Sequence, residues 1–231
     1  MKMEDIKDQI ALAYRDWQER LNAASGHWGG VKICAVTKTI PADIINIAYD
    51  AGIRDIGENR VQELMQKLPV LNDGFNIHHI GQLQTNKVKY VIARVDMIQS
   101  LDRMPLGREI SERAMRINRV IPVLAQVNIA EEPQKGGVSV GGLVDLIKGL
   151  SKLDGIRVKG LMAIMPLTDD PEDVRMFFRS MRVWFDRIKL MGIPRVDMET
   201  LSMGMSGDCL VAAQEGATMV RLGAALFGKR A

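Results

Sequence analysis

The stretch VKICAVTKTIPADIINIAYDAGIRDIGEN, residues 31–59, contains one full repeat of an architecture. Its β-branched and small apolar opening, Val31 to Val36, reads as a strand. PADIINIAYDAG then has helical spacing, with a proline near its start and a glycine after its end. IRDIGEN follows as a second strand. Two strands joined through a helix form a βαβ unit, the connection that parallel pairing requires.

The same alternation continues along the chain. The expected strands are VKICAVT, IRDIGEN, IHHIGQ, DMIQS, VIPVLAQVNI, IRVKGLMAI, METLSMG and TMVRLG, and PEDVRMFFRSMRVWFDRIKLMG repeats the proline–helix–glycine punctuation. Eight near-continuous apolar strands fit a closed (β/α)8 barrel better than an open doubly wound sheet. Ahead of them, Ile6, Ile10, Ala13, Trp17 and Leu21 share one helical face over about residues 3–23. The expected fold is α/β: a single TIM barrel over residues 1–231, one domain, with an extra N-terminal helix.

Hydrophobic residues make up 47% of the 231 residues and charged ones 26%, a globular balance. The net charge of +3 is spread among interleaved acids and bases, so nucleic acid is not an expected partner. MKMEDIKDQI lacks the layout of a signal peptide and no apolar run has membrane length, so a cytoplasmic, membrane-free protein is expected. A monomer is expected too. Cys34 and Cys209 lie far apart with no histidines at zinc-ligand spacing, which supports neither a disulfide framework nor a metal site.

In a barrel, the C-terminal ends of all strands meet at one mouth. The polar residues there are Lys38, Glu58 with Asn59, His79 to Gln84, Asn128, Ser202 to Ser206, and Arg221 to Gly223. Alternation places Cys34, Val36 and Lys38 on one face of the first strand. If that face is inward, Lys38 tops an apolar column, a setting that favours the neutral amine and its attack on a carbonyl to form a Schiff base. The plain alternative is a solvated lysine past a strand end.

LSMGMSGDCLVAAQEGA sets glycines around Ser202, Ser206 and Asp208 just before a helix-forming run. Such a turn is either an anion site or an ordinary N-cap. In VRLG, Gly223 allows close approach of a phosphate to the backbone. Met219, Arg221 and Gly223 share a face, so Arg221 points to the same mouth as Lys38, as a ligand cation or as half of a structural ion pair. The combination suggests a phosphorylated carbonyl ligand, for which pyridoxal 5′-phosphate and an aldolase substrate both qualify. His78 and His79 face opposite ways and read as packing or hydrogen-bonding residues, and Cys34 as inert packing inside the barrel.

AVTKT, IGENRVQE, HHIGQLQTNK, NIAEEPQKGG, GLMAI, LSMGMSGD and TMVRLGAALFG, in this order over nearly the whole chain, resemble the YggS/PROSC family of pyridoxal phosphate homeostasis proteins. The resemblance implies a fold-type III barrel like the N-terminal domain of alanine racemase, with pyridoxal phosphate as a Schiff base on Lys38 and Asn59 beside the cofactor. It implies that Ser202, Ser206 and the Gly223 backbone hold the phosphate, that Met203 lines the loop and that Arg221 faces the pyridine nitrogen. Three departures stand out: His79 replaces the usual aromatic, Gly207 stands where many members have an acid, and Gly136 where serine is common.

An arginine against the pyridine nitrogen weakens the ring as an electron sink compared with an aspartate. A racemase of this fold also needs a second proton donor, which alanine racemase takes as a tyrosine from its other domain. Here eight residues follow Gly223, and no motif places Tyr14, Tyr49 or Tyr90 at the mouth. The expected function is to hold pyridoxal phosphate and deliver it to apo-enzymes, with no established catalytic activity. The alternative is an amino-acid racemase or lyase using the same lysine.

Overall fold

Residues 3–228 are described by a computed structural model, in which all eight expected strands form. They are β1 (Lys32–Val36), β2 (Asp55–Glu58), β3 (Asn76–His79), β4 (Met97–Leu101), β5 (Ile121–Val127), β6 (Ile156–Ala163), β7 (Val196–Ser202) and β8 (Met219–Leu222). They pair in parallel in chain order, and β1 pairs with both β2 and β8, so the barrel closes and has no edge strand. The helices are α1 (Met3–Ser25), α2 (Ala42–Asp50), α3 (Val61–Lys67), α4 (Val88–Val91), α5 (Met104–Arg116), α6 (Leu143–Leu150), α7 (Arg175–Leu190), α8 (Cys209–Gln214) and α9 (Ala224–Phe227). The extra N-terminal helix buries Ile10 and Leu21, with Ile6 and Trp17 packed partly against the core.

The period of two along each strand separates two apolar populations. Ile33, Ala35, Ile56, Ile77, Ile98, Leu201, Val220 and Leu222 belong to the large core shared with the helices. Cys34, Val36, Ile80 and Met219 form a second, separate cluster, which is the lining of the barrel. The inward face of β1 is therefore the one that carries Cys34 and Val36. Cys34 is in register with Arg221, and Lys32 with Met219.

The α7 segment differs from the sequence reading in its first turn. Pro171–Val174 is a 3-10 turn, with the Asp170 carboxylate accepting from the Glu172 N–H, before α7 proper begins. Among the described residues no helix is long and apolar enough to cross a membrane, and no group of three His, Cys, Asp or Glu side chains is placed to hold a metal ion. Both cysteines are free and buried.

The β6 register shifts against both of its neighbours around Gly160. Gly160 has φ +148°, and a Cβ there would lie 1.8 Å from the Thr200 carbonyl oxygen. The bulge thus requires glycine, both for its dihedral and for backbone contact. Gly160→Ala is expected to cost about 3 kcal/mol or more in urea unfolding. Gly207→Ala, where an added Cβ meets nothing within 4 Å, should change stability by less than about 0.5 kcal/mol.

Candidate functional site

A guanidinium brought into a barrel interior must find acceptors there, because a bare buried charge is costly. Arg221, on the inward face of β8, is only 4% exposed. It donates through Nη1 to Ser202 Oγ at 2.7 Å and through Nη2 to the Ala163 carbonyl at 2.8 Å. The Ser202 hydroxyl donates onward to Gln99 Oε1 at 2.7 Å. Gln99 Nε2 lies 2.8 Å from His78 Nδ1, and His78 Nε2 lies 3.2 Å from Asp55 Oδ1. With the Gln99 amide donating, Nδ1 accepts and Nε2–H faces the aspartate. Five side chains from β2, β3, β4, β7 and β8 thus form one polar chain through the barrel.

Burial pulls Arg221 down to about 10, so it remains a cation at neutral pH. No carboxylate among the described residues lies within ion-pair distance of it. The structural-ion-pair reading of Arg221 therefore finds no partner. At the other end of the chain, burial pushes the Asp55 carboxyl up, but hydrogen bonds from His78 and Asn76 more than offset this and hold it below its usual value. Burial pushes the Cys34 thiol up to about 12, which leaves it protonated and inert.

The loops that follow β7 and β8 are joined through their backbones. Met203 N–H donates to the Met219 carbonyl at 3.1 Å, and Arg221 N–H to the Gly204 carbonyl at 3.0 Å. Gly204 has φ +92° and lies so close to α8 that a Cβ would come within 2.6 Å of the Ala212 Cβ. Asp208 does not cap α8; its Oδ1 turns back to accept from Met205 N–H at 2.6 Å. Burial raises the Asp208 carboxyl, against the attraction of Met205 N–H and of Arg221.

The N–H groups of Met205, Asp208 and Cys209 all have acceptors. Those of Ser206, Gly207, Gly223 and Ala224 meet none among the described residues. Unpaired backbone donors on two adjoining loops, with a buried cation on the strand that leads into one of them, make a cradle for an anion.

Lys38 lies two residues beyond Val36, in a turn whose next residue, Thr39, has φ +64°. It is half-buried, and its ammonium makes no hydrogen bond or ion pair among the described residues. Asn59, beyond β2, is likewise half-buried with no side-chain partner. Its backbone is packed so closely by Gly81 that a Cβ on that glycine would lie 2.2 Å from the Asn59 carbonyl oxygen. Asn128 is a loop brace, donating to the Glu132 carbonyl at 2.8 Å and accepting from Glu132 N–H at 3.1 Å.

Some expected site residues take different positions. The Met203 side chain is fully buried in the core outside the barrel, so it meets the loop only through its backbone. The Ser202 hydroxyl is engaged by Arg221 and Gln99, whereas Ser206 is exposed on the loop. Gln99 lies in no motif of the sequence, although its place in DMIQS, one residue from Ile98 of the outer core, marks it as inward. His78 is the hydrogen-bonding residue expected of it. None of the three tyrosines joins this set: Tyr14 feels the charges of Asp55 and Arg54, Tyr49 stacks edge-on with Phe75, and Tyr90 is exposed beside Lys87 and Lys89.

Comparison with known proteins adds relatives. Residues 13–231 match the family described as the alanine racemase N-terminal domain. A pyridoxal phosphate homeostasis protein of Aquifex aeolicus is 44% identical over 217 residues, covering 92% of this chain and 94% of that protein. The structure of PipY from Synechococcus elongatus with pyridoxal phosphate bound is 32% identical, with a TM-score of 0.84, over 95% of this chain and all of the other. An alanine racemase of Corynebacterium glutamicum shares the fold at 16% identity and a TM-score of 0.75, over 97% of this chain and 62% of that one.

His79 faces outward from β3 and is fully buried, and its ring nitrogens have no partner beyond a weak contact with the Gly81 backbone. Burial pulls it from 6.5 down to about 4, so the folded protein binds this proton later than the unfolded chain as pH falls. Stability is therefore lost between 6.5 and 4, by about 2 kcal/mol at pH 5. His79→Phe should abolish that part of the acid sensitivity, measured as the difference in urea unfolding between pH 7 and pH 5.

Proposed function

The chain belongs to the family of pyridoxal phosphate homeostasis proteins, which carry the alanine racemase N-terminal domain, and on that premise we propose that it binds pyridoxal 5′-phosphate as a Schiff base on Lys38 and releases it to apo-enzymes. The observation that carries this reading is the joined pair of loops after β7 and β8. The N–H groups of Ser206, Gly207, Gly223 and Ala224, without acceptors among the described residues, suit a phosphate, and Arg221, with no described carboxylate within ion-pair distance, has N–H groups to spare for a pyridine nitrogen. The unpartnered amine of Lys38 suits the aldehyde.

With the cofactor held at this site, the neutral Lys38 amine would be the nucleophile toward its aldehyde, with water as the other product of the condensation. When bound, the cofactor supplies a conjugated aldehyde and ring to which a Schiff base can form and from which it can be hydrolysed. The protein's part is to keep Arg221 protonated and fixed through Ser202 and the Ala163 carbonyl, so that the ring nitrogen meets a donor. Ser202 in this reading supports Arg221 with its hydroxyl, Met203 supports the phosphate loop from behind, and Asn59 borders the ring. The protein acts in the cytoplasm as a monomer. An amino-acid racemase or lyase would need a second proton donor opposite the lysine, and the placement of Tyr14, Tyr49 and Tyr90 offers none from a tyrosine.

Mixing the purified protein with pyridoxal phosphate should give a yellow band that borohydride removes, leaving a pyridoxyl adduct on the peptide containing Lys38. Lys38→Ala should lose the adduct, and an unlabelled wild-type Lys38 would refute the assignment. Arg221→Met should weaken cofactor binding at least tenfold, since a buried charged hydrogen-bond donor is lost. In deuterium oxide, exchange at the α-carbon of amino acids should stay at the level of free pyridoxal phosphate. Rapid exchange by the protein would instead establish the enzyme reading.

A further inference from the structure

Behind the Lys38 turn lies an ion cluster to which the cofactor site assigns no role. Lys67, the last residue of α3, is 8% exposed, and its ammonium has three acceptors. They are Glu58 Oε1 at 2.7 Å, Glu63 Oε1 at 2.7 Å and the Thr37 carbonyl at 2.8 Å. The three N–H bonds of one ammonium are thus all satisfied. Glu58, at the end of β2 and fully buried, also accepts from Thr37 Oγ1 at 2.6 Å. Glu63 accepts from the Thr39 N–H as well.

These bonds fall on either side of Lys38. Ile40 N–H donates to the Thr37 carbonyl at 3.0 Å, so Thr37 to Ile40 is a four-residue turn with Lys38 and Thr39 at its centre. Thr39 has φ +64°, a conformation that a β-branched residue rarely adopts and that persists only where neighbours impose it. The neighbours that impose it are identified: Glu63 holds the Thr39 N–H, and Lys67 and Glu58 hold Thr37 by its carbonyl and hydroxyl. Burial pushes Glu63 up, but the bonds from Lys67 and Thr39 more than offset it. In Glu58 burial prevails over Lys67 and Thr37, and the carboxyl stays raised, with Oε2 lacking any partner.

We propose that Lys67, Glu58 and Glu63 are positioning residues: they lock the strained Thr37–Ile40 turn and so aim the Lys38 amine at the carbonyl carbon of an aldehyde. This inference rests on the reading of Lys38 as the Schiff-base lysine. The cluster lies behind the turn and has no part in the phosphate cradle, so its loss should affect bond formation and leave ligand docking intact.

The test uses the full chain and two ligands, pyridoxal 5′-phosphate and pyridoxine 5′-phosphate, which has the same phosphate and ring but no aldehyde. Glu63→Ala should slow adduct formation on Lys38 roughly tenfold, as expected for a misaimed reacting group. Its affinity for pyridoxine phosphate should stay within about twofold of wild type on the same expectation. Glu63→Gln keeps an oxygen for the Thr39 N–H and should recover most of the rate. Lys67→Met should resemble Glu63→Ala; if it does not fold, the partly exposed Glu63 site decides alone. The proposal is overturned if Glu63→Ala reacts at the wild-type rate, if pyridoxine phosphate affinity falls in proportion to the rate, or if Glu63→Gln is as slow as Glu63→Ala. A wild-type protein with no adduct on Lys38 would remove the underlying reading and this inference with it, a result distinct from all three.

Discussion

A guanidinium inside a closed barrel has to be solvated by the protein, and much of the interior polarity follows from that need. Arg221 is almost wholly buried, and no carboxylate among the described residues lies within ion-pair distance of it. Its charge is spread instead over neutral dipoles, the Ser202 hydroxyl and the Ala163 carbonyl, with Gln99, His78 and Asp55 each satisfying the group before it. An aspartate at Ser202 would make a tighter pair but would occupy the cation. Neutral partners leave the remaining N–H groups of Arg221 available to a ligand. The apolar cluster of Cys34, Val36, Ile80 and Met219 completes the interior and keeps that region at low polarity, where each charge–dipole contact is stronger.

The two sides of the strands divide the labour between positioning and chemistry. On the inward side are the Arg221 chain and the Cys34 and Val36 side chains of β1. On the outward side of the same strands, Thr37 and Glu58 meet Lys67 from α3. On the proposed reading, the cluster that would aim Lys38 lies on the helix side of the sheet, which would keep it out of a ligand's way. The same geometry explains why Glu58, a strand-end carboxylate, is directed to the helix layer even though its neighbour Gly57 faces the barrel interior beside Ile80 and Cys34.

The fold could be read from the chain because its signals are local: β-branched and apolar runs alternate with helical spacing in every βα unit, and PADIINIAYDAG and PEDVRMFFRSMRVWFDRIKLMG add proline before and glycine after the helix. The inward faces of β1 and β8, with Cys34, Val36, Met219 and Arg221, were legible for a similar reason, since parity along a strand needs only counting. What stayed hidden depends on tertiary burial. Glu63 and Lys67 are spaced i, i+4, the signature of an ordinary solvated helix pair, and nothing local says that α3 presses Lys67 onto β1 and β2. Gln99 carries no motif, and its importance comes from partners 21 and 103 residues away. Met203 sits in a glycine–serine loop whose composition suggests a ligand, yet parity with Leu201 sends its side chain into the outer core.

On the proposed reading, an arginine partner for the pyridine nitrogen and a lysine with no competing bond among the described residues would make a site better suited to holding an aldehyde than to stabilising a carbanion. Electron withdrawal by the ring is greatest when its nitrogen is protonated, and a cationic donor opposes that protonation. Retention then depends on the Schiff base and the phosphate cradle, and the first of these is reversible by water. If the Thr37–Ile40 turn aims Lys38 as proposed, the barrel gains a well-aimed amine for capture without needing a second catalytic group for turnover. Capture and hydrolysis are the two directions of one reaction, so a device that speeds bond formation by lowering the shared barrier speeds release equally and leaves the affinity unchanged. Fast exchange at a fixed affinity would suit the proposed hand-over of a reactive cofactor.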